Sequence, residues 1–243
     1  MVEILESLFT DLHSEAIPFC HWKGYGELEK NLQGDGDLDL FVPLKYKDSF
    51  EIIVEQRSFR KLKSFQASHQ FLEHYYGFDL KTKKFVHLHV YYKIITGEHI
   101  SKNYTLPIEK YFAENTTHDS LLPSLSLNAK QNIFLIRYFI KIGSILGILQ
   151  YLRERSKYLK EWDLIQGDNS AESIHDLNIT EEMSSEMKIR FESSSFLRKI
   201  FYSLYLKRIL REFRRRNFFR HFFYQYESLN KRFLNKFCLQ IIS

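Results

Sequence analysis

FCHWKGYGELEKNLQGDGDLDLFV, Phe19 to Val42, decides how the rest of the chain is read. A short apolar run leads into a turn at Gly24-Tyr25-Gly26, a short helical stretch over 27–32, and a second turn at Gly34-Asp35-Gly36. An alternating run follows, Asp37-Leu38-Asp39-Leu40-Phe41-Val42. Alternation with a period of two predicts a strand whose successive side chains take opposite faces. Leu38, Leu40 and Val42 then anchor one face in a core. Asp37 and Asp39 share the other, about 6–7 Å apart at Cα. Aspartate is depleted in strands, so two at this spacing need a reason beyond packing. Paired carboxylates opposite a glycine turn suit a divalent cation held against a triphosphate. The plain alternative is two polar side chains on an edge strand. Lys23 adds a point charge beside the turn, and a turn running into a helix start presents free N–H groups to phosphate. The plain alternative there is a surface turn with a solvated lysine. Asp35 reads as a turn residue bonding its own backbone, or as a third acidic neighbour.

Working outward, residues 2–16 carry Ile4, Leu5, Leu8, Phe9 and Leu12 at helical spacing, and Pro18 closes that helix. After Pro43, residues 44–56 predict a helix with Phe50, Ile53 and Val54 inward. Residues 59–65 predict a strand. The runs Phe71 to Leu80 and Phe85 to Ile94, joined by Lys81-Thr82-Lys83-Lys84, predict a β-hairpin. Its second strand places His87 and His89 on one face with Phe85 and Tyr91. If that face looks toward Asp37 and Asp39, His87 completes the site, as a neutral-imidazole metal ligand or as the base that takes a hydroxyl proton. His89 stands behind it, and Asp79 across the hairpin is the reserve carboxylate. Partly buried, hydrogen-bonding histidines are the alternative. Mg²⁺ prefers oxygen ligands, whereas Mn²⁺ or Zn²⁺ tolerates imidazole better.

Residues 96–107 read as a loop broken at Gly97, from which Tyr104, Leu106 and Ile108 return to pack on the sheet. Residues 115–123, NTTHDSLLP, form a polar linker and a candidate boundary between a front domain, 1–115, and a helical domain, 124–243. In the second part Ile133 to Leu149 predicts one buried helix; Arg137 and Lys141 within it, and its length of about 17 residues, argue against a membrane span. Gly143 and Gly147 allow another helix to approach. Residues 162–176 read as a polar connection, 181–193 as a helix opened by Ile179-Thr180-Glu181-Glu182, and 196–213 and 218–237 as two long helices.

The chain has 243 residues, enough for one large or two small domains, and its apolar and charged fractions are those of an ordinary globular protein. Cys20 and Cys238 are its only cysteines, so no disulfide framework is implied and a reducing cytoplasm is expected. The acidic, amphipathic N-terminus lacks the basic and apolar regions of a signal peptide. There is no internal repeat, zinc-finger cysteine pattern, Ser-His-Asp order or Walker phosphate loop. The net charge of +5 hides an asymmetry: residues 188–243 hold 14 of the 35 basic residues and 3 of the 30 acidic ones, which leaves the remainder net acidic. Residues 209–233 interleave Arg211, Arg214, Arg215, Arg216 and Arg220 with Phe218, Phe219, Phe222 and Phe223. They read as helices packed on one another with solvated arginines, as a surface for an anionic membrane or a protein partner, or as a nucleic-acid phosphate footprint.

The run Trp22-Lys23-Gly24, Asp37-Leu38-Asp39-Leu40 and His87-Leu88-His89-Val90, in that order, resembles the nucleotidyltransferase superfamily with the DNA polymerase β-like fold, in a branch of bacterial proteins. The resemblance covers about residues 3–107. It implies an α+β fold: a nucleotidyltransferase-like mixed sheet of four or five strands with flanking helices, followed by an α-helical C-terminal region. It implies transfer of a nucleoside monophosphate from an NTP to a hydroxyl acceptor, with Mg²⁺ or Mn²⁺ at Asp37, Asp39 and His87, and with Trp22, Lys23 and Gly24 at the nucleotide. His87 stands where the family pattern has a third carboxylate, so a non-catalytic binding module is the alternative. Gly97-Glu98 is expected to line the substrate entrance. In longer chains of this branch a P-loop kinase-like domain follows such a helical segment; here it is expected to be absent or separately encoded.

Overall fold

A computed structural model describes residues 1–62, 71–97, 102–166 and 172–215. Glu98 and the expected helix over 218–237, with Arg216 and everything after it, lie outside the described residues. The fold is α+β, a mixed sheet with flanking helices followed by a helical C-terminal region.

The chain opens with α1 (Glu3–Ser14), whose Leu5, Leu8, Phe9 and Leu12 are buried at helical spacing. Strand β1 (Cys20–His21) leads into a 3-10 turn over Tyr25–Glu27, α2 (Leu28–Leu32) and β2 (Asp37–Phe41). Helix α3 (Lys47–Gln56) buries Phe50, Ile53 and Val54. Strand β3 (Arg60–Lys61) precedes the hairpin of β4 (Leu72–Asp79) and β5 (Lys84–Tyr91), whose closing pair is Asp79 and Lys84. Strands β6 (Ile94–Thr96) and β7 (Tyr104–Leu106) pair with each other in a small separate sheet. Then come α4 (Glu109–Asn115), β8 (Thr116–Thr117), β9 (Ser124–Leu125), α5 (Leu127–Ile142), α6 (Ile145–Ile165), α7 (Glu181–Ser193) and α8 (Phe196–Ile209).

The main sheet has seven strands in the order β3-β4-β5-β2-β1-β9-β8. β2 runs parallel to β5 and β1 parallel to β9; the other neighbours are antiparallel. The strands beyond the expected four or five include β8 and β9, which lie in and just after the segment read as a polar linker. A two-residue strand is too short to show periodicity, and its pairing is decided by the partner that arrives. The loop expected over 96–107 likewise holds β7, because Tyr104 and Leu106 find Thr96 and Ile94 across from them.

The two faces of the sheet serve different ends. Leu38, Leu40, Val42, Val86, Leu88 and Val90 point to one face and pack with α1 and α3 in one hydrophobic cluster. The other face holds Cys20, Phe41, Leu72 and Tyr91, which join Trp22 and residues of α4 to α8 in a second cluster. The helical region is therefore built onto the sheet. The helix expected over 133–149 is two, broken at Gly143-Ser144. Ser144 caps α6 by accepting the Gly147 N–H at 3.1 Å, and a Cβ on Gly143 would meet the Ser203 hydroxyl of α8 at 2.2 Å. Thr180 caps α7 in the same way, accepting from the Met183 N–H. Helix α6 continues to Ile165 and buries Trp162, so the polar connection begins later than the composition implied. Among the described residues no helix is long and apolar enough to cross a membrane.

Candidate functional site

The register of three strands assembles the site. Asp37 lies opposite His87 and Asp39 opposite His89 across the β2–β5 pair. Tyr76 lies opposite His87 and His74 opposite His89 across the hairpin. Paired residues share a face, so the open face carries the row Tyr76, His87, Asp37 and, one step along, the row His74, His89, Asp39. The third row, Leu72, Tyr91 and Phe41, is buried under the helical region. The polar rows lie next to where that cover stops.

His87 Nδ1 is 2.6 Å from Asp37 Oδ1, and its Nε2 is 3.1 Å from His74 Nδ1. His89 bridges the two carboxylates, with Nε2 3.6 Å from Asp37 Oδ2 and Nδ1 3.4 Å from Asp39 Oδ1. The Tyr76 ring stacks on His87 with centroids 4.0 Å apart. The Asp37 side chain is 53 % exposed and that of Asp39 14 %. The hydrogen bond with His87 lowers the pKa of Asp37 below the usual carboxylate value, against a smaller opposing effect of burial. Burial would raise that of Asp39, but Lys23 and His89 outweigh it and hold the carboxyl far below its ordinary range. Burial, with the neighbouring His89, His87 and Lys102, lowers His74 to about 4, so its imidazole is neutral at physiological pH.

Behind Asp39 lies a group of cations. Lys23 Nζ is 2.6 Å from Asp39 Oδ1 and sits over the rings of Trp22 and Tyr91 at 5.3 and 4.8 Å. Lys102 reaches the Tyr91 hydroxyl at 3.3 Å, and burial lowers its pKa. Arg137 of α5 lies over Trp22 at 5.5 Å and 3.4 Å from Glu161 of α6. Burial and the charges of Arg137 and Lys23 push Lys141 down to about 7. The front half and the helical region thus both contribute to this corner.

Several expected roles are changed by the geometry. Trp22 is 1 % exposed and packs edge-on against Tyr91, so it offers no face to a base and instead floors the cations. The Gly24 N–H, expected to receive phosphate, donates to Glu161 Oε1 at 3.0 Å. Gly24 itself suits the turn through its backbone, since its φ is +78°. Asp79 is not in the cluster. Strand alternation turns it to the α1 face, where it accepts from the Ile4 N–H at 3.0 Å and from the Thr82 N–H and hydroxyl at 2.8 and 2.7 Å. Asp35 pairs with Lys84 away from the site. His89, expected to stand behind His87, is as central as His87. His74 was not singled out from the sequence, although the hairpin register sets it opposite His89. Arg137 and Glu161 carry no local signal at all.

No family model, curated protein or solved structure matches the chain. The reading of this face therefore rests on its chemistry: two carboxylates and three imidazoles on a partly exposed sheet surface, beside cations only partly offset by Asp39 and Glu161.

Proposed function

We propose that the chain is a metal-dependent nucleotidyltransferase that moves a nucleoside monophosphate from an NTP to a hydroxyl-bearing acceptor. The observation that supports this reading is the convergence of Asp37, Asp39 and His87 on one open face next to Lys23, Lys102 and Arg137. In this reaction the acceptor oxygen forms a bond to the α-phosphorus while the bond from that phosphorus to the β-phosphate oxygen breaks, and pyrophosphate leaves. The hydroxyl proton passes to the Asp37 carboxylate, which His87 Nδ1 holds at 2.6 Å. Lys23, Lys102 and Arg137 place positive charge on the phosphate oxygens. An arriving anion would also favour the charged form of Lys141, which burial holds near neutrality. Gly24 shapes the turn rather than donating its N–H, which Glu161 already takes.

The donors present fit a divalent ion: Asp37 is open to solvent, and Asp39 is released when Lys23 turns to phosphate. Asp37, Asp39 and His87 would hold it, and its charge would offset that of the triphosphate. The mixed oxygen and nitrogen set favours Mn²⁺ over Mg²⁺. Asp37→Asn and Asp39→Asn should each lower pyrophosphate release by about 10²-fold or more, with the far-ultraviolet circular dichroism unchanged. Full turnover in either variant would refute these roles.

A second reading is a nucleotide-binding module without turnover. It is favoured by the resting contacts, since Lys23 neutralises Asp39 and Glu161 occupies the turn. Calorimetric NTP binding with no pyrophosphate under any divalent metal, with or without a cell extract as acceptor, would select it. The basic run that begins at Arg211 is proposed as a partner or anionic-membrane surface; most of it lies beyond the described residues.

A further inference from the structure

We propose that His74, His87 and His89 together bind a nitrogen-preferring first-row transition ion of the zinc class, with Asp37 and Asp39 as the carboxylates behind the ligands. One ring nitrogen from each histidine lies within 4.8 Å of the other two. His74 Nδ1 and His87 Nε2 are 3.1 Å apart. That is close to the ~3.3 Å edge of a tetrahedron built on metal–nitrogen bonds of ~2.0–2.1 Å. All three side chains rise from the same face of the β4–β5 hairpin, His87 and His89 two residues apart on one strand and His74 directly across from His89. A register held by eight cross-strand pairs positions them more firmly than a loop would.

The outer contacts aim the rings. A ligating imidazole normally gives its other N–H to a carboxylate, which sets the tautomer and turns the lone pair toward the metal. Asp37 sits 2.6 Å from His87 Nδ1, leaving Nε2 for the ion. His89 has a carboxylate at each ring nitrogen, Asp39 Oδ1 3.4 Å from Nδ1 and Asp37 Oδ2 3.6 Å from Nε2, so one of these contacts gives way when the ring ligates and the other holds it. Without an ion, one proton bridges His74 and His87; an ion takes the place of that proton and draws on both lone pairs. Three nitrogen ligands leave a fourth position for water or a substrate oxygen, the arrangement of catalytic rather than structural zinc sites. Mg²⁺, which demands oxygen donors, is excluded from this set of three. In this set Asp37 and Asp39 stand behind the imidazoles, so it replaces Asp37, Asp39 and His87 as the ligands on that face. It rests on that face as a site but not on nucleotidyl transfer.

The full chain, stripped with a chelator and titrated with Co²⁺, tests it. The expected result is the visible absorption of four-coordinate cobalt at one ion per chain, displaced by Zn²⁺ and not by Mg²⁺. Zn²⁺ should also raise the melting temperature of the wild-type chain where Mg²⁺ does not. His74→Ala should abolish the absorption, and Asp37→Asn should weaken the affinity by about 10–100-fold. A wild-type chain with neither the absorption nor the Zn²⁺-dependent melting shift overturns the proposal, whether or not the variants fold. So does a folded His74→Ala chain that binds Co²⁺ as wild type does. Cobalt binding without pyrophosphate release under any metal would remove the transferase reading and leave the ion site standing. Mg²⁺-driven turnover in a chain that binds no Co²⁺ would do the reverse.

Discussion

The two faces of β2, β4 and β5 come from the same few residues, taken alternately. On one, Leu38, Leu40, Val86, Leu88 and Val90 are fully buried against α1 and α3. On the other, Asp37, Asp39, His74, His87 and His89 are at least partly open, and bond chiefly to one another and to Lys23. The first face holds the fold together through removal of apolar surface from water. The second contributes little apolar burial and concentrates donors and charge. A strand can carry both because its side chains alternate.

Neighbouring substitutions separate the two faces most strongly. Leu38→Ala should cost about 2–5 kcal/mol of unfolding free energy, read from urea denaturation. Asp37→Asn, one residue away, should change stability by less than about 1 kcal/mol. Comparable losses in the two variants would mean that the polar face is structural.

Acid should act through His21, which is fully buried beside Tyr25, and in the same window through His74, whose pKa is also lowered to about 4. Burial lowers the His21 pKa from 6.5 to about 4, so the folded state holds it neutral while the unfolded chain takes up a proton below 6.5. The unfolded state binds more protons in that window, so stability is fully present above pH 6.5 and is lost as pH falls toward 4. The His21 share of the loss should approach about 3 kcal/mol, and a folded His21→Leu chain should show a shallower dependence. An equal slope in both chains would remove His21 from the account.

A further loss of stability concerns the joint between the helical region and the turn. Glu161→Ala leaves the Gly24 N–H without its acceptor and Arg137 without its carboxylate, and should cost about 1–3 kcal/mol. No change in the denaturation midpoint would show that the turn stands without α6.

Much of the front half is legible in the sequence. The spacing of Leu5, Leu8, Phe9 and Leu12, the alternation of Asp37 to Val42, and the paired runs of the hairpin each carry a period that local sterics impose. The Asp37–His87 contact follows from two such strands once they lie side by side. His74 was available in principle from the hairpin register but has no pattern of its own. Trp22 read as a ligand contact because it precedes Lys23-Gly24, yet packing on Tyr91 and Phe112 takes both the ring and the expectation away. Glu161 and Arg137 come from helices more than a hundred residues after the turn that they meet, and nothing near them in the chain marks that meeting.

Alternation along each strand is a local consequence of backbone geometry, and it was enough to divide core from open face and to pair Asp37 with Asp39. Which strands became neighbours, and therefore which imidazoles, cations and carboxylates met, depended on contacts between distant segments. Short strands such as β8 and β9, and the Glu161–Gly24 bond, exist only because the folded chain supplies a partner that the unfolded chain does not hold nearby.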